Sequence, residues 1–338
     1  DTHCRVFQKI ICNFTLWNCW NMAKGKGLES IGSSVFMNIK TDFGFKKIFG
    51  NKVLLTAFLN AILDKDIAGI EYLPAEQLGY IRENRRAVYD VYCTAADGER
   101  FIVEMQASPQ MHFAERILFY MSYPVISQAP KGSVTRTDSG GKEIKVPWNY
   151  SLSGVYMICI LDNIMFPEKE AADIVTEQIK IVRQKAGRFF TDKWEVQTIE
   201  LPKFRKTEDE LETAADKWLY SLKHMEKLPG RPERLNDKIF SESYENAKIN
   251  NLTSKDMKAY SKSVLEYDDV ISSMNYREMI GRNEGRIEGR IEGRNEARIK
   301  FVQNCRKHNM TIGQIVALTS LTEKEISDIL AERYESMH

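Results

Sequence analysis

The chain has 338 residues, 43% of them hydrophobic and 28% charged, which excludes a disordered or fibrous protein and allows one large domain or two ordinary ones with a real core. Its 48 Lys and Arg against 47 Asp and Glu leave a net charge of +1, so no global field draws it to a nucleic acid and any basic surface must be local. No run approaches the ~20 apolar residues of a membrane span, so no membrane partner is expected.

The six cysteines, Cys4, Cys12, Cys19, Cys93, Cys159 and Cys305, are scattered without a CxxC pair. Cys93 and Cys159 fall inside apolar runs, as buried free thiols do, and this usage predicts a reducing, cytoplasmic setting. Residues 1–36 mix Cys, Trp, Asn and Phe with no clean period. They are read as a leader outside the fold, disordered or non-native, with Met22 or Met37 as the natural start.

The stretch 41–64, TDFGFKKIFGNKVLLTAFLNAILD, carries Phe45, Ile48 and Phe49 and then Leu54, Leu55, Phe58, Leu59 and Ile62 at helical spacing. It predicts a helix pair broken near Gly50-Asn51, with Thr41 or Asp42 as the first N-cap. Residues 67–81 read as a connector with a short strand. Next come Arg82 to Arg86 and a hairpin over 87–108, AVYDVYCTAADGERFIVEMQAS, whose two strand-like runs flank an Asp-Gly turn.

A helix follows over 111–128, with Phe113, Ile117, Met121 and Val125 four apart and Leu118 beside them; Arg116 and Tyr120 form an i,i+4 pair on a neighbouring face. Residues 131–147 read as a loop or small flap. The run 155–162, VYMICILD, suits a strand buried on both faces. A helix is expected over 167–185, a strand over 191–204 stopping at Pro202, and a helix over 210–225. This order is that of an α/β sandwich.

Residues 234–280 are polar and helical in pattern. Over 281–298 the sequence GRNEGRIEGRIEGRNEAR repeats every four residues, which on a helix lines up Gly, Glu and Arg in separate stripes. Gly costs about 1 kcal/mol against Ala and like charges four apart repel, so the stripes suit either a partner helix or a solvated spacer. The last stretch, 310–330, predicts two short helices. Ile312, Ile315, Val316 and Leu318 face inward from the first, and Leu321, Ile326, Ile329 and Leu330 from the second. Thr322 and Glu325 form a capping box, and the pair suits a helix-turn-helix.

Chemistry concentrates in the 87–108 hairpin. Asp90, Glu104 and Gln106 are poor strand formers inside β-branched and aromatic runs. With a two-residue Asp97-Gly98 loop, Glu104 faces Val91 and Asp90 points away. With a three-residue loop, Ala96-Asp97-Gly98, Asp90 lies opposite Glu104. The longer loop needs a left-handed third residue, and Gly98 stands there. Side chains alternate, so Asp90, Glu104 and Gln106 are predicted on one face. Two carboxylates and an amide suit a hard divalent ion such as Mg²⁺, with the Met105 backbone carbonyl as a further ligand and an acidified water attacking a phosphodiester. A glycosidase-like acid/base pair competes with this reading. A purely structural one has Asp90 and Glu104 bonded to Arg85, Arg86 or Arg116.

Four stretches in order, TDFGFKKIFG (41–50), the hairpin with D…EMQ, AERILFYMSYPV (114–125) and IELPKF (199–204), resemble the PD-(D/E)XK nuclease family transposases, or recombination-promoting nucleases. The repeat and the IGQIVALTSLTEKEI tail are also similar to that family's C-terminus. The resemblance implies a restriction-endonuclease-like αβββαβ core sandwiched by helices, followed by a helical C-terminal extension. It implies a DNA partner and Mg²⁺-dependent endonuclease activity, with Mn²⁺ as a substitute, that promotes recombination or transposition. Asp90 and Glu104 become metal ligands and Gln106 stands where the wider superfamily has Lys; Tyr89, not Pro, precedes Asp90. Asp42, Lys46, Lys47, Arg116 and Tyr120 are second-tier residues, the lysines as DNA-phosphate contacts or as a solvated helix face. The division is a leader (1–36), a nuclease-like domain (37–230), a helical connector (231–280), a Gly-Arg-Glu repeat (281–300) that suits homo-oligomerisation, and a helix-turn-helix-like tail (301–335). The alternative is a weak or inactive DNA-binding scaffold on a decayed nuclease fold.

Overall fold

A computed structural model of the chain describes residues 34–77, 87–129, 134–137 and 141–335. Most of the leader lies outside them, as do Cys4, Cys12, Cys19 and Arg82 to Arg86. Two compact units divide at Ser272 and Ser273.

In the first unit, helices α1 (Asp42–Phe49) and α2 (Lys52–Leu63) lead into β1 (Ile70–Tyr72). Two short strands, β2 (Glu76–Gln77) and β3 (Ala87–Val88), pair with each other. Then come β4 (Val91–Ala95), β5 (Arg100–Gln106) and helix α3 (Phe113–Ile126). The stretch expected as a flap contains a hairpin, β6 (Val134–Thr137) and β7 (Glu143–Val146). The buried strand is β8 (Val155–Leu161), every residue of which is buried. It is followed by β9 (Thr176–Lys180), the two-residue strands β10 (Val182–Arg183) and β11 (Arg188–Phe189), and β12 (Trp194–Glu200). Helices α4 (Ala214–His224), α5 (Lys238–Ala247) and the start of α6 (Ser254–Lys307) complete the unit.

Six strands form one sheet in the order β1-β4-β5-β8-β12-β9. The first three pair antiparallel, β5-β8 and β8-β12 are parallel, and β9 closes the edge antiparallel to β12. Alternation sorts the side chains between two faces. Val103, Ile158 and Ile160 join the core under α1, α2, α4 and α5. Ile102, Met157, Cys159 and Leu161 join a second core with Ile117 and Met121 of α3. Cys93 in the first core and Cys159 in the second are buried free thiols, and Cys305 is another in the second unit.

The helix expected over 167–185 is not formed. Val175, Ile179 and Val182 mimic a helical stripe, yet the backbone of 176–180 pairs with β12, and only a one-turn helix, Lys169–Ala171, precedes it. Leu318, predicted inward, is exposed, as is Leu118 beside the α3 stripe. The leader boundary also moves: Phe36 is buried against Tyr244, with ring centroids 5.1 Å apart. The stretch expected as a connector supplies Phe240, Tyr244, Ala247, Tyr260 and Val264 to the main core.

In the second unit, residues 273–307 of α6 are followed by α7 (Ile312–Thr319) and α8 (Glu323–Glu335). Val302, Cys305, Ile315, Leu321 and Ile326 form its small core. The repeat is helical and exposed, and among the described residues nothing outside the helix's own backbone stands within 4 Å of where a Cβ on Gly281, Gly285, Gly289 or Gly293 would lie. Thr322 and Glu325 do form the capping box, and Thr311 with Gln314 forms another.

Candidate functional site

The β4–β5 turn takes three residues. The Ala95 N–H donates to the Glu99 carbonyl (2.9 Å), the Gly98 N–H to the Ala95 carbonyl (3.0 Å), and Gly98 has φ +84°. The resulting register pairs Thr94 with Arg100 and Val91 with Val103, so the next residues across the ladder are Asp90 and Glu104. There the ladder stops, and side chains take over its hydrogen bonds. The Asp90 N–H donates to Glu104 Oε1 (3.2 Å), and the Met105 N–H donates to Asp90 Oδ2 (2.8 Å). Each carboxylate thus accepts from a part-buried backbone N–H across the end of the strand pair.

The cost is electrostatic. Glu104 is only 8% exposed. Burial, and then the neighbouring Asp90 charge, push its pKa up to about 8, against the pull of Arg116, the Asp90 N–H and Lys46. Burial also raises Asp90, opposed by the Met105 N–H and Lys46 and reinforced by Asp42. Two such acids share a shortage of positive charge, which a proton or a cation relieves. Each offers one oxygen with no hydrogen bond among the described residues. No cluster of three or more His, Cys, Asp or Glu at metal-holding positions occurs among the described residues. This donor set fits a hard ion that keeps several waters, as Mg²⁺ does, and not the closed four-ligand set of structural zinc.

Gln106 lies two residues beyond Glu104 on β5, hence on the same face by alternation. Its Nε2 donates to the Ser108 carbonyl (2.9 Å) rather than to the carboxylates. Its own backbone carbonyl accepts from the Asp162 N–H (2.9 Å) and Asn163 Nδ2 (3.1 Å). Arg116 donates to the Tyr120 hydroxyl (3.0 Å) and to Gln110, and its guanidinium lies 4.8 Å from the Tyr120 ring centroid. The Tyr120 carbonyl accepts from the Tyr89 hydroxyl (2.8 Å), tying α3 to the residue before Asp90. Thr41, not Asp42, caps α1 through the Gly44 N–H (3.1 Å). Gly44 is needed here, since a Cβ would lie 2.3 Å from the Asn38 carbonyl oxygen. Asp42 instead pairs with Lys46 (2.6 Å), while Lys47 turns to Asp256 of α6 (3.4 Å).

A neighbouring cluster is absent from the sequence reading. Lys40 pairs with Asp162 (3.0 Å), and the Tyr267 hydroxyl donates to the same carboxylate. Lys40, Asp42, Asp90, Met105, Glu266 and Tyr267 line a cleft of about 200 Å³. Asp162 carries a usable signal: it directly follows the apolar run of β8, and ligands gather at the carboxyl ends of parallel strands. Tyr267 carries none, since only the fold brings α6 to that end. The Asn38 N–H donates to the Tyr260 hydroxyl (2.8 Å) and the Phe43 N–H to Ser263 Oγ (3.0 Å), which fixes α6 over the loop before α1.

No curated protein and no solved structure gives a significant match to the chain. A family model does match, over residues 39–277, a span that takes in the sheet, the Asp90–Glu104 pair and the α6 residues of the cleft. The chain belongs to the PD-(D/E)XK nuclease family transposases.

Proposed function

We propose that the chain hydrolyses phosphodiester bonds of DNA with Mg²⁺, Mn²⁺ substituting, and thereby promotes recombination or transposition in the cytoplasm. The observation that carries this is the reciprocal bonding of Asp90 and Glu104 at the end of their ladder, which fixes two charge-deficient carboxylates side by side. The succession α2, β1, β4, β5, α3, β8 supports reading the core as the restriction-endonuclease-like αβββαβ unit.

Asp90 and Glu104 would hold the ion. The Met105 carbonyl would add a ligand, because the N–H and C=O of one strand residue point to the same side and that N–H already meets Asp90. A bound Mg²⁺ acidifies a water and offsets charge on the phosphate. The chain's own part is placement and field. The two backbone N–H bonds hold the carboxylates in place, and Arg116 adds positive charge from α3. Gln106 carries neither charge nor a titratable proton, so its role is to orient a water or the scissile phosphate. The exposed repeat suits assembly with a second copy.

The test is nicking of supercoiled plasmid with Mg²⁺ and with Mn²⁺. Wild type is expected to nick, and Asp90→Ala and Glu104→Ala each to lose on the order of a hundredfold or more. A DNA-binding scaffold is the second reading, favoured by the Gln106 amide being spent on Ser108. Wild type as inert as both variants would establish it.

A further inference from the structure

The sheet's free edge ends in a projecting hairpin that the candidate site does not use. After β9 the chain forms β10 and β11, with Val182 opposite Phe189 and Arg183 opposite Arg188. The hairpin closes through the Gly187 N–H, which donates to the Arg183 carbonyl (3.0 Å), with Gly187 at φ +61°. Every residue from 181 to 190 is exposed, including Val182 (54%), Phe189 (60%) and Phe190 (71%). Residues 178–191 contain Lys180, Arg183, Lys185 and Arg188 and no acid. Of these, only Lys180 has a carboxylate partner among the described residues, Glu195 at 3.2 Å.

Two features work against the hairpin in isolation. Like charges directly across a strand pair repel, and exposed Val182 and Phe190 gain nothing from water, while Phe189 has the Lys180 ammonium 4.9 Å from its ring centroid. Local conflicts of this kind are expected where a partner resolves them. A polyanion placed against Arg183, Lys185 and Arg188 removes the repulsion and takes charge-assisted hydrogen bonds. A second copy docked tip to tip would bring arginines onto arginines. A two-stranded ribbon has the width the major groove of duplex DNA admits, and apolar side chains suit thymine methyls or a base step.

We infer that the β10–β11 hairpin is a DNA-binding arm, in which Arg183, Lys185 and Arg188 grip backbone phosphates and Phe189 and Phe190 meet the bases. The choice of DNA as the polyanion rests on the function proposed above. The arm is separate from the carboxylates. It leaves the sheet where Lys180 pairs with Glu195, near the start of β12, whereas Glu104 lies toward the end of the parallel strand β5.

The experiment measures binding, not cutting. Full-length protein in EDTA is titrated against a fluorescently labelled duplex over a range of salt. The variant Arg183→Gln/Lys185→Gln/Arg188→Gln is expected to bind roughly tenfold or more weakly, and the slope of log affinity on log salt to shrink by about 0.9 for each phosphate the variant no longer neutralises. A control at exposed residues outside the hairpin and the repeat, Lys227→Gln/Arg234→Gln/Lys238→Gln, removes the same charge and is expected to bind as wild type. Equal binding by wild type and the hairpin variant, or an equal loss in the control, overturns the arm. A loss confined to vesicles containing phosphatidylserine, with duplex binding intact, overturns it in favour of a lipid surface. Plasmid nicking by wild type is scored separately: nicking with hairpin-independent binding sinks only the arm, and hairpin-dependent binding without nicking sinks only the nuclease.

Discussion

Asp90 and Glu104, the acids proposed to hold the ion, are also the candidate site's source of instability. Burial and then the Asp90 charge raise Glu104 to about 8, while burial, with Asp42 adding to it, raises Asp90 in the same direction. A carboxyl whose folded pKa exceeds its unfolded value binds its proton more tightly when folded. Stability therefore falls as pH rises from the ordinary carboxylate range through the folded pKa. In EDTA, the melting temperature of wild type should drop between about pH 5 and about pH 9 more steeply than that of Glu104→Gln, which keeps an acceptor for the Asp90 N–H but has no charge to bury. Mg²⁺ should restore wild type at the alkaline end and leave the variant unmoved. Parallel curves with and without Mg²⁺ would mean that the pair is not short of positive charge. The pairing is legible in the amino-acid sequence because a loop count and one glycine decide it. The three-residue turn needs its left-handed residue where Gly98 stands, and that register sets Asp90 across from Glu104. The partners of Gln106 are not legible there, since the Ser108 and Asn163 bonds depend on where two loops end.

Elements are readable where period, cap and burial agree. The helix pair at 41–64 has its apolar rows, its Thr41 and Asn51 caps and its Gly44 contact all in agreement. Strand β8 announces itself by length and apolarity. β9 does not, because an edge strand exposed to water carries no burial pattern, and its apolar spacing happens to match a helix. Its identity comes from backbone pairing with β12, which no local pattern encodes. α4 shows how a cap adds stability that depends on pH. Thr213 Oγ accepts from the Asp216 N–H (3.0 Å), while Asp216 accepts from the Thr213 N–H (3.1 Å) and from Lys206 (2.8 Å). Burial works against this carboxylate, but Lys206 and the N–H groups hold it below the usual range. Its contribution is therefore present above the unfolded pKa and lost as pH falls through the folded one. Asp216→Asn is expected to cost about 1 kcal/mol in urea unfolding at neutral pH, mostly through the cap because Lys206 is half exposed, and to converge on wild type in acid. A difference that persists unchanged in acid would assign the loss to packing instead.

The first unit is held by residues far apart in sequence. Trp218 packs on Phe49, Phe58 and Phe240, with ring centroids 5.8, 5.6 and 4.9 Å away. Tyr244 packs on Phe36, and Tyr260 accepts the Asn38 N–H, so the segment after residue 230 lies against the start of the fold. In sequence, 231–280 reads as a connector because polar residues dominate its composition. Its few apolar positions are nevertheless core positions. Losing one buried aromatic side chain costs about 3–5 kcal/mol, and a domain's total stability is about 5–15 kcal/mol. A chain ending after residue 230 loses Phe240, Tyr244 and Tyr260 together, so it is expected to show no cooperative thermal transition. A chain ending after residue 280 keeps all three, with the cleft residues Ser263, Glu266 and Tyr267, and is expected to melt cooperatively and to retain plasmid nicking. Circular dichroism melts and the nicking assay on the two truncations check this. If the shorter chain melts as sharply as the longer one, α5 and the start of α6 are a connector after all, and the site needs no support from them. If the longer chain folds but no longer nicks, the second unit takes part in the reaction itself, and the catalytic unit is larger than the core that holds Asp90 and Glu104.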